Sequence, residues 1–280
     1  MNILITGASG NIGRQIIAAL PEKAGHAYLK SIRKEKKPGS DECFFDFSEP
    51  LKSIEALQKI DVLFLLRPPH ISNVKRDILP ILEGAKKVGV KHIVFLSVQG
   101  AENISFIPHA RIEKAILELG FDFTFIRPSY FMQNLTTMFK NDLCKNDRIY
   151  IPSGQAKFLW VDAVDLGQAI ARVLESPSEH RNKAYTLTGT ELASMSDVAA
   201  LLSAELKRPI HHVSPNLVSF WFNMRKEGIS RGKVVVMIAL HFLPRMQSPP
   251  AISSDIENLL KRKPATLAEF VKREASQWAR

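Results

Sequence analysis

Met1-Asn2-Ile3-Leu4-Ile5-Thr6-Gly7-Ala8-Ser9-Gly10-Asn11-Ile12-Gly13-Arg14 opens the chain, and its reading decides the fold. Asn2 to Thr6 is a short apolar run suited to a buried strand. Ile12, Ile16, Ile17 and Leu20 recur at the spacing of one helical face. Between them, Gly7, Gly10 and Gly13 let backbone approach a ligand and let the helix approach the strand. A strand, a tight glycine turn and a helix N-terminus form a cradle for a dinucleotide pyrophosphate, because free N–H groups and the helix dipole face the negative charge. The spacing is G-x-x-G-x-x-G, one residue wider than G-x-G-x-x-G, so the identification rests on the strand and helix around it.

Working outward, strand and helix patterns alternate. Strands are predicted at 27–32, 42–45, 61–66, 92–96 and 121–126, and helices at 50–59, 71–88 and 110–119. Asp61-Val62-Leu63-Phe64-Leu65-Leu66 is continuously apolar after its first residue, as expected of a strand covered on both faces of a parallel sheet. The fold class is therefore α/β, a doubly wound parallel (Rossmann) sheet with expected strand order 3-2-1-4-5-6 and its ligand crevice at the carboxyl ends of the strands. After Arg127-Pro128 the rhythm changes. Short strands at 148–151 and 157–161 flank Pro152-Ser153-Gly154, a helix covers 162–174, and 184–187 returns to the sheet. Ser196 is read as the cap of a helix to Leu206, Ser214-Pro215 as the start of another, and Thr266 with Glu269 as a capping box. Gly228 to Pro250 has no clear period and is read as a flexible lid. The expected organisation is a dinucleotide-binding domain over 1–150, with 155–190 returning to it, and a smaller, mainly helical substrate lobe over 191–280.

The chain has 280 residues, 45% hydrophobic and 24% charged, which excludes extensive disorder. The longest apolar run, Val234 to Leu240, is too short to span a bilayer, so no membrane partner is expected. Cys43 and Cys144 provide neither a disulfide framework nor a metal-ligand spacing, and Cys43 falls in a strand where an inert thiol is expected. A strand starting at residue 2 leaves no room for a leader, which points to a cytoplasmic location. The net charge of +10 suggests an anionic partner. Nucleic acid is not expected, since no helix-turn-helix, zinc or aromatic-basic signature accompanies that charge.

The second strand leads into Ser31-Ile32-Arg33-Lys34-Glu35-Lys36-Lys37, where an NAD-binding chain would carry an acidic residue for the ribose 2′-hydroxyl. Arg33 and Lys34 would instead meet a 2′-phosphate, which predicts a preference for NADP(H) over NAD(H).

A tyrosine followed four residues later by lysine is the usual proton donor of short-chain dehydrogenases. Here Tyr28, Tyr130, Tyr150 and Tyr185 are followed at that offset by Ile32, Asn134, Gly154 and Gly189. The remaining motifs are Leu96-Ser97-x-x-Gly100, Pro108-His109-x-x-x-Glu113, Ile126-Arg127-Pro128-x-x-Phe131-Met132-Gln133-Asn134, Asp162 with Asp165, Leu187-Thr188-Gly189, and Arg262-Lys263-Pro264-Ala265-Thr266-Leu267-x-Glu269-Phe270. Together with the glycine turn they resemble the NmrA-like family of atypical short-chain dehydrogenases/reductases, which includes quinone reductases, triphenylmethane-dye reductases and redox-sensing regulators. The resemblance implies that Gly7, Ala8, Ser9, Gly10, Asn11 and Ile12 hold the pyrophosphate and that Arg33 reaches the 2′-phosphate. Asp46 and Phe47 would flank the adenine, with Leu66 and Arg67 beside the ribose and phosphates. It also places Ser97 near the nicotinamide, His109 where a lysine normally touches the nicotinamide ribose, and Pro128, Tyr130 and Phe131 along nicotinamide and substrate. Arg127 reads equally well as a structural ion-pair partner.

Without a paired tyrosine and lysine, protonation of a developing alkoxide is slow, and general acid catalysis contributes about 10²–10⁴-fold where it is present. A quinone forgoes that proton because its hydroquinone anion is resonance-stabilised, and a triarylmethane cation is simply neutralised by hydride. The expected reaction is hydride transfer from NADPH to a small, conjugated electrophile, with the protein supplying orientation and water exclusion. Phe131, Trp160, Trp221 and Phe222 are the candidate apolar walls, and Tyr130, His109 and His70 the fallback proton donors. A non-catalytic NADP(H) sensor bound to a regulatory protein partner is the alternative, and a homodimer is left open. A sugar-nucleotide epimerase is disfavoured, since that chemistry uses the tyrosine.

Overall fold

The computed structural model describes residues 1–21, 25–33 and 39–279. They divide into two compact units, numbered here with strands and helices in chain order. The first unit comprises Met1–Pro128, Ala163–Leu187 and Ser254–Lys263. Its strands are β1 (Asn2–Ile5), β2 (Ala27–Ile32), β3 (Glu42–Phe44), β4 (Val62–Leu66), β5 (His92–Leu96), β6 (Asp122–Pro128) and β10 (Lys183–Leu187). They form one parallel sheet in the order β3-β2-β1-β4-β5-β6-β10. The expected 3-2-1-4-5-6 order is thus present and extended by the returning strand, whose Leu187 pairs with Pro128. Helices α1 (Asn11–Ala19), α2 (Pro50–Ala56), α3 (Val74–Asp77), α4 (Leu79–Lys87), α5 (Pro108–Glu118), α7 (Ala163–Glu175) and α11 (Asp255–Leu260) belong to the same unit.

Val62, Leu63, Phe64 and Leu65 of β4 are all buried, as a central strand demands. The predicted helix over 71–88 is two helices. Pro80 stands in the first turn of α4, where its missing N–H is harmless, and the chain restarts there after α3.

The second unit comprises Ser129–Asp162, Thr188–Ser253 and Pro264–Arg280. The first boundary is therefore at Pro128 rather than 150, because β7 (Tyr130–Phe131) pairs with β9 (Lys157–Val161) and not with the large sheet. β11 (Leu192–Ser194) runs antiparallel on the other side of β9, while β8 (Arg148–Tyr150) pairs in parallel with β12 (His211–Val213). Helices α6 (Lys140–Asn146), α8 (Met195–Leu206), α9 (Leu217–Lys226), α10 (Arg231–Phe242) and α12 (Leu267–Glu274) complete it. Its core gathers Trp160, Phe220, Phe270 and Trp278.

Two caps fall two residues away from their expected positions. Ser194, not Ser196, caps α8 in a reciprocal box with Asp197, and Asn216, not Ser214, caps α9 by accepting from Ser219 N–H. The box of Thr266 and Glu269 forms as expected. The segment without a period contains α10, whose Val234 and Met237 are buried while Val235, Val236 and Leu240 are exposed. Beyond its first turn, which carries Arg231 and Lys233, this helix is apolar on every side and has no periodicity to read.

Candidate active site

The glycine turn is built by hydrogen bonds on its N-terminal side. Thr6 Oγ1 donates to Phe64 O (2.9 Å) and accepts from Leu66 N–H (2.8 Å), bolting β1 to β4. Ser31 Oγ at the end of β2 accepts from Gly7 N–H (3.0 Å). Gly7 has φ +67°, a left-handed value costly for a side chain, and a Cβ on Gly13 would stand 2.1 Å from Gly7 O. Both positions therefore require glycine. Helix α1 starts at Gly10 with no side-chain cap and no acidic residue in its first turn. Ser9, Gly10 and Asn11 are exposed and Ala8 is buried beneath them. This end of α1 presents backbone N–H groups and positive dipole to solvent, which is the chemistry of an anion site.

Arg33, just past β2, is exposed, and its predicted partner in 2′-phosphate recognition, Lys34, lies outside the described residues. Asp46 faces the same charge. Burial works against its ionisation, but hydrogen bonds from Ser48 and the Arg33 and His70 charges hold its carboxyl below the usual range. Phe47 packs edge-on to Phe45 at 5.1 Å, so one of its sides is committed to the core. His70 is exposed beyond β4.

Leu66 ends β4, and Arg67 turns its guanidinium back on its own loop. Nη1 donates to the carbonyls of Pro68 and Ile71, and Nε reaches His109 Nε2 at 3.5 Å. Because Arg67 only donates, His109 Nε2 is the unprotonated nitrogen. Burial, and then the Arg67 charge, push His109 down to about 4. At neutral pH His109 is a neutral acceptor, unlike the lysine whose place the resemblance assigns it. Ser97 at the end of β5 is buried, and its Oγ has no hydrogen-bond partner among the described residues. Pro128 is buried at the end of β6, its carbonyl accepting from Gln99 N–H (3.0 Å).

Several motif residues prove structural. Arg127 donates to both carboxylate oxygens of Glu113 (3.0 and 2.7 Å) and pairs with Glu102 (3.1 Å), tying α5 to β6. Asp165 accepts from Arg262 within the first unit (2.5 Å). In the second, Asp162 accepts from Gln133 and Arg273 (2.7 Å each).

Tyr130 of the second unit lies edge-on to Trp160 at 4.7 Å, and its hydroxyl meets His241 Nε2 at 2.7 Å. His241 Nδ1 meets Met237 O at 2.6 Å, and a carbonyl only accepts, so Nδ1 carries the proton and Nε2 accepts from Tyr130. Burial pushes His241 down to about 4 against the pull of the Met237 carbonyl, and burial raises Tyr130 far above its ordinary value. The pair is neutral and directional. Nothing in the sequence points to His241, which is 111 residues from Tyr130 and sits in the segment without a period. Phe131 is half-buried on β7. Trp160 is a correction to the expected substrate wall. It is 0% exposed and its indole N–H is spent on Ala193 O (3.0 Å), so it backs Tyr130 from within the core. Phe222, by contrast, is 68% exposed.

A parallel sheet in this order, opened by an uncapped glycine turn, defines a Rossmann-type dinucleotide-binding protein. The chain belongs to the NmrA-like family, whose model matches residues 1–271. It is 29% identical to the NAD(P)H azoreductase of Xenophilus azovorans over 283 residues, 98% of each chain. Its fold matches the NADPH-dependent quinone oxidoreductase from Escherichia coli complexed with NADPH, with a TM-score of 0.85 at 21% identity over 97% of this chain and 99% of that one. It also matches the Citrobacter sp. triphenylmethane reductase complexed with NADP(H), with a TM-score of 0.84 at 21% identity over 98% of this chain and 99% of that one. The residues present fit such a cofactor: Gly7 and Gly13 let the turn close tightly against Leu66 and the start of α1, and Ser97 offers a buried hydroxyl with no partner among the described residues. Among the described residues, no helix is long and apolar enough to cross a membrane and no cluster suited to a metal ion occurs.

Proposed function

We propose that this chain, an NAD(P)H-dependent oxidoreductase, passes hydride from NADPH to a small conjugated electrophile such as a quinone or dye, without a dedicated acid. The observation that carries the reading is the state of its candidate donors. Tyr130 commits its hydroxyl hydrogen bond to His241, and His109 is held neutral with Nε2 turned to Arg67. Neither is poised to protonate an alkoxide at neutral pH. When bound, the cofactor supplies two electrons and a proton as hydride.

The chain's own residues would bind and orient. The N–H groups at the start of α1 would hold the pyrophosphate, and Arg33 the 2′-phosphate, with Asp46 accepting from the adenine amine. Ser97 Oγ would donate to the nicotinamide end, and Phe131 and Tyr130 would exclude water from the acceptor. A preference for NADP(H) rests on Arg33, because no carboxylate stands at that position to take a ribose hydroxyl.

The test is NADPH oxidation by purified protein across quinones, azo dyes, triarylmethane dyes and simple ketones. Turnover with the conjugated acceptors and little with ketones is expected. Tight NADPH binding with no oxidation by any acceptor would instead assign the chain to the nucleotide-sensing alternative.

A further inference from the structure

Among the described residues, nine of the thirteen exposed large hydrophobic side chains fall between Val213 and Ile252. They include Val218 and Phe222 on α9, Val235, Val236 and Leu240 on α10, and Leu243 and Met246 in the turn that follows. A helical stretch apolar on all sides belongs in a core or against a partner, yet the outward face of α10 beyond its first turn meets solvent. The same stretch carries Arg225, Lys226, Arg231, Lys233 and Arg245 against Glu227 alone. All five cations are exposed, and none forms an ion pair with a carboxylate among the described residues.

Exposed aliphatic side chains flanked by unpaired lysine and arginine are the composition of a surface that lies in a lipid headgroup region. We propose that the α9–α10 surface rests on anionic bilayers, with its aliphatic side chains in the acyl boundary and its cations on lipid phosphates. A second copy of the chain is the poorer occupant, since it would set five unpaired cations against the same five. A protein partner is disfavoured by the make-up of the patch, in which Phe222 is the sole strongly exposed aromatic and tyrosine and tryptophan, the usual interface anchors, are not prominent. The absence of a spanning helix among the described residues bears on crossing a bilayer, not on lying upon one. The inference is independent of the reductase reading.

Flotation of the full chain with phosphatidylcholine vesicles, with and without about one third phosphatidylglycerol, tests it. Binding is expected only with the anionic vesicles, and it should fall steeply at high salt, where surface charge is screened. Each cation near such a surface is worth about fivefold in partitioning, so K226Q with K233Q should weaken binding about 25-fold. V236D and L240D, both at solvent-facing positions, should abolish it while leaving the melting temperature and NADPH binding unchanged. Failure of the wild-type chain to float with anionic vesicles at low salt would overturn the proposal, as would variants that float like the wild type. Self-association that V236D dissolves, without vesicle binding, would overturn it in favour of a second copy.

Discussion

A hydroxyl that donates its one hydrogen bond to a buried neighbour has no donor turned to a substrate. That is the situation of Tyr130, whose acceptor His241 is fixed in tautomer by the Met237 carbonyl. Y130F removes the donor and leaves His241 Nε2 buried and unsatisfied, a cost of about 1–3 kcal/mol in stability. NADPH binding should be unchanged and turnover of a quinone should fall less than about tenfold, whereas an acid at this position would cost about 10²–10⁴-fold. Steady-state kinetics beside a thermal melt separates these outcomes. Arg33 presents the opposite case, an exposed guanidinium with Asp46 in its field. Charge-assisted bonds are worth about 1.5–3 kcal/mol, so R33Q should weaken NADPH about 10–100-fold while NADH changes little, as read by calorimetry. Equal losses for both nucleotides would remove Arg33 from 2′-phosphate recognition.

Where helix and strand meet, tolerance is set by distances between backbones. A Cβ at Gly13 would collide with Gly7 O at 2.1 Å, whereas one at Gly10 would sit 3.2 Å from the same atom. G13A should therefore lower the melting temperature and abolish NADPH binding, while G10A should weaken binding with a much smaller change in melting. The pairing of α5 with β6 is as exacting. The Glu113 side chain is 7% exposed and holds Arg127 through two oxygens, so E113A leaves a half-buried cation without its main partner and should cost about 3–5 kcal/mol by denaturant unfolding. The turn, the apolar β4 and the alternation around them are legible in the sequence because each follows from short-range pattern. The caps of α8 and α9 are not, since Ser194 and Ser196 at one start and Ser214 and Asn216 at the other could each serve, and only backbone geometry selects between them. Glu113 stands out in its motif, but that its partner is Arg127 rather than a ligand is settled by folding. Helix α10 is hidden for a different reason: its outer face is as apolar as its inner one.

The order of the large sheet is readable because consecutive βα units leave few alternatives, yet the chain leaves the first unit at Pro128, returns at Ala163 and returns again at Ser254. Such interleaving depends on contacts between residues far apart in sequence, Tyr130 with His241 and Asp165 with Arg262 among them, which local pattern does not carry. It also distributes buried histidines through both units: His92 in the first, bonded to Thr124 Oγ1 at 2.9 Å, and His241 in the second. Burial pushes each down to about 4 from an ordinary 6.5. The unfolded chain then takes up protons near pH 6.5 that the folded chain refuses until about 4, so the stability these groups lend is whole above pH 6.5 and is lost as the pH falls towards 4. Between pH 7 and 5 each histidine should subtract about 2 kcal/mol. Melting temperatures recorded across that range should drop accordingly, and H92Q should flatten the slope, because glutamine keeps a donor for Thr124 and does not titrate. An unchanged slope in H92Q would mean that His92 gains its proton equally in both states, contrary to its burial in the sheet.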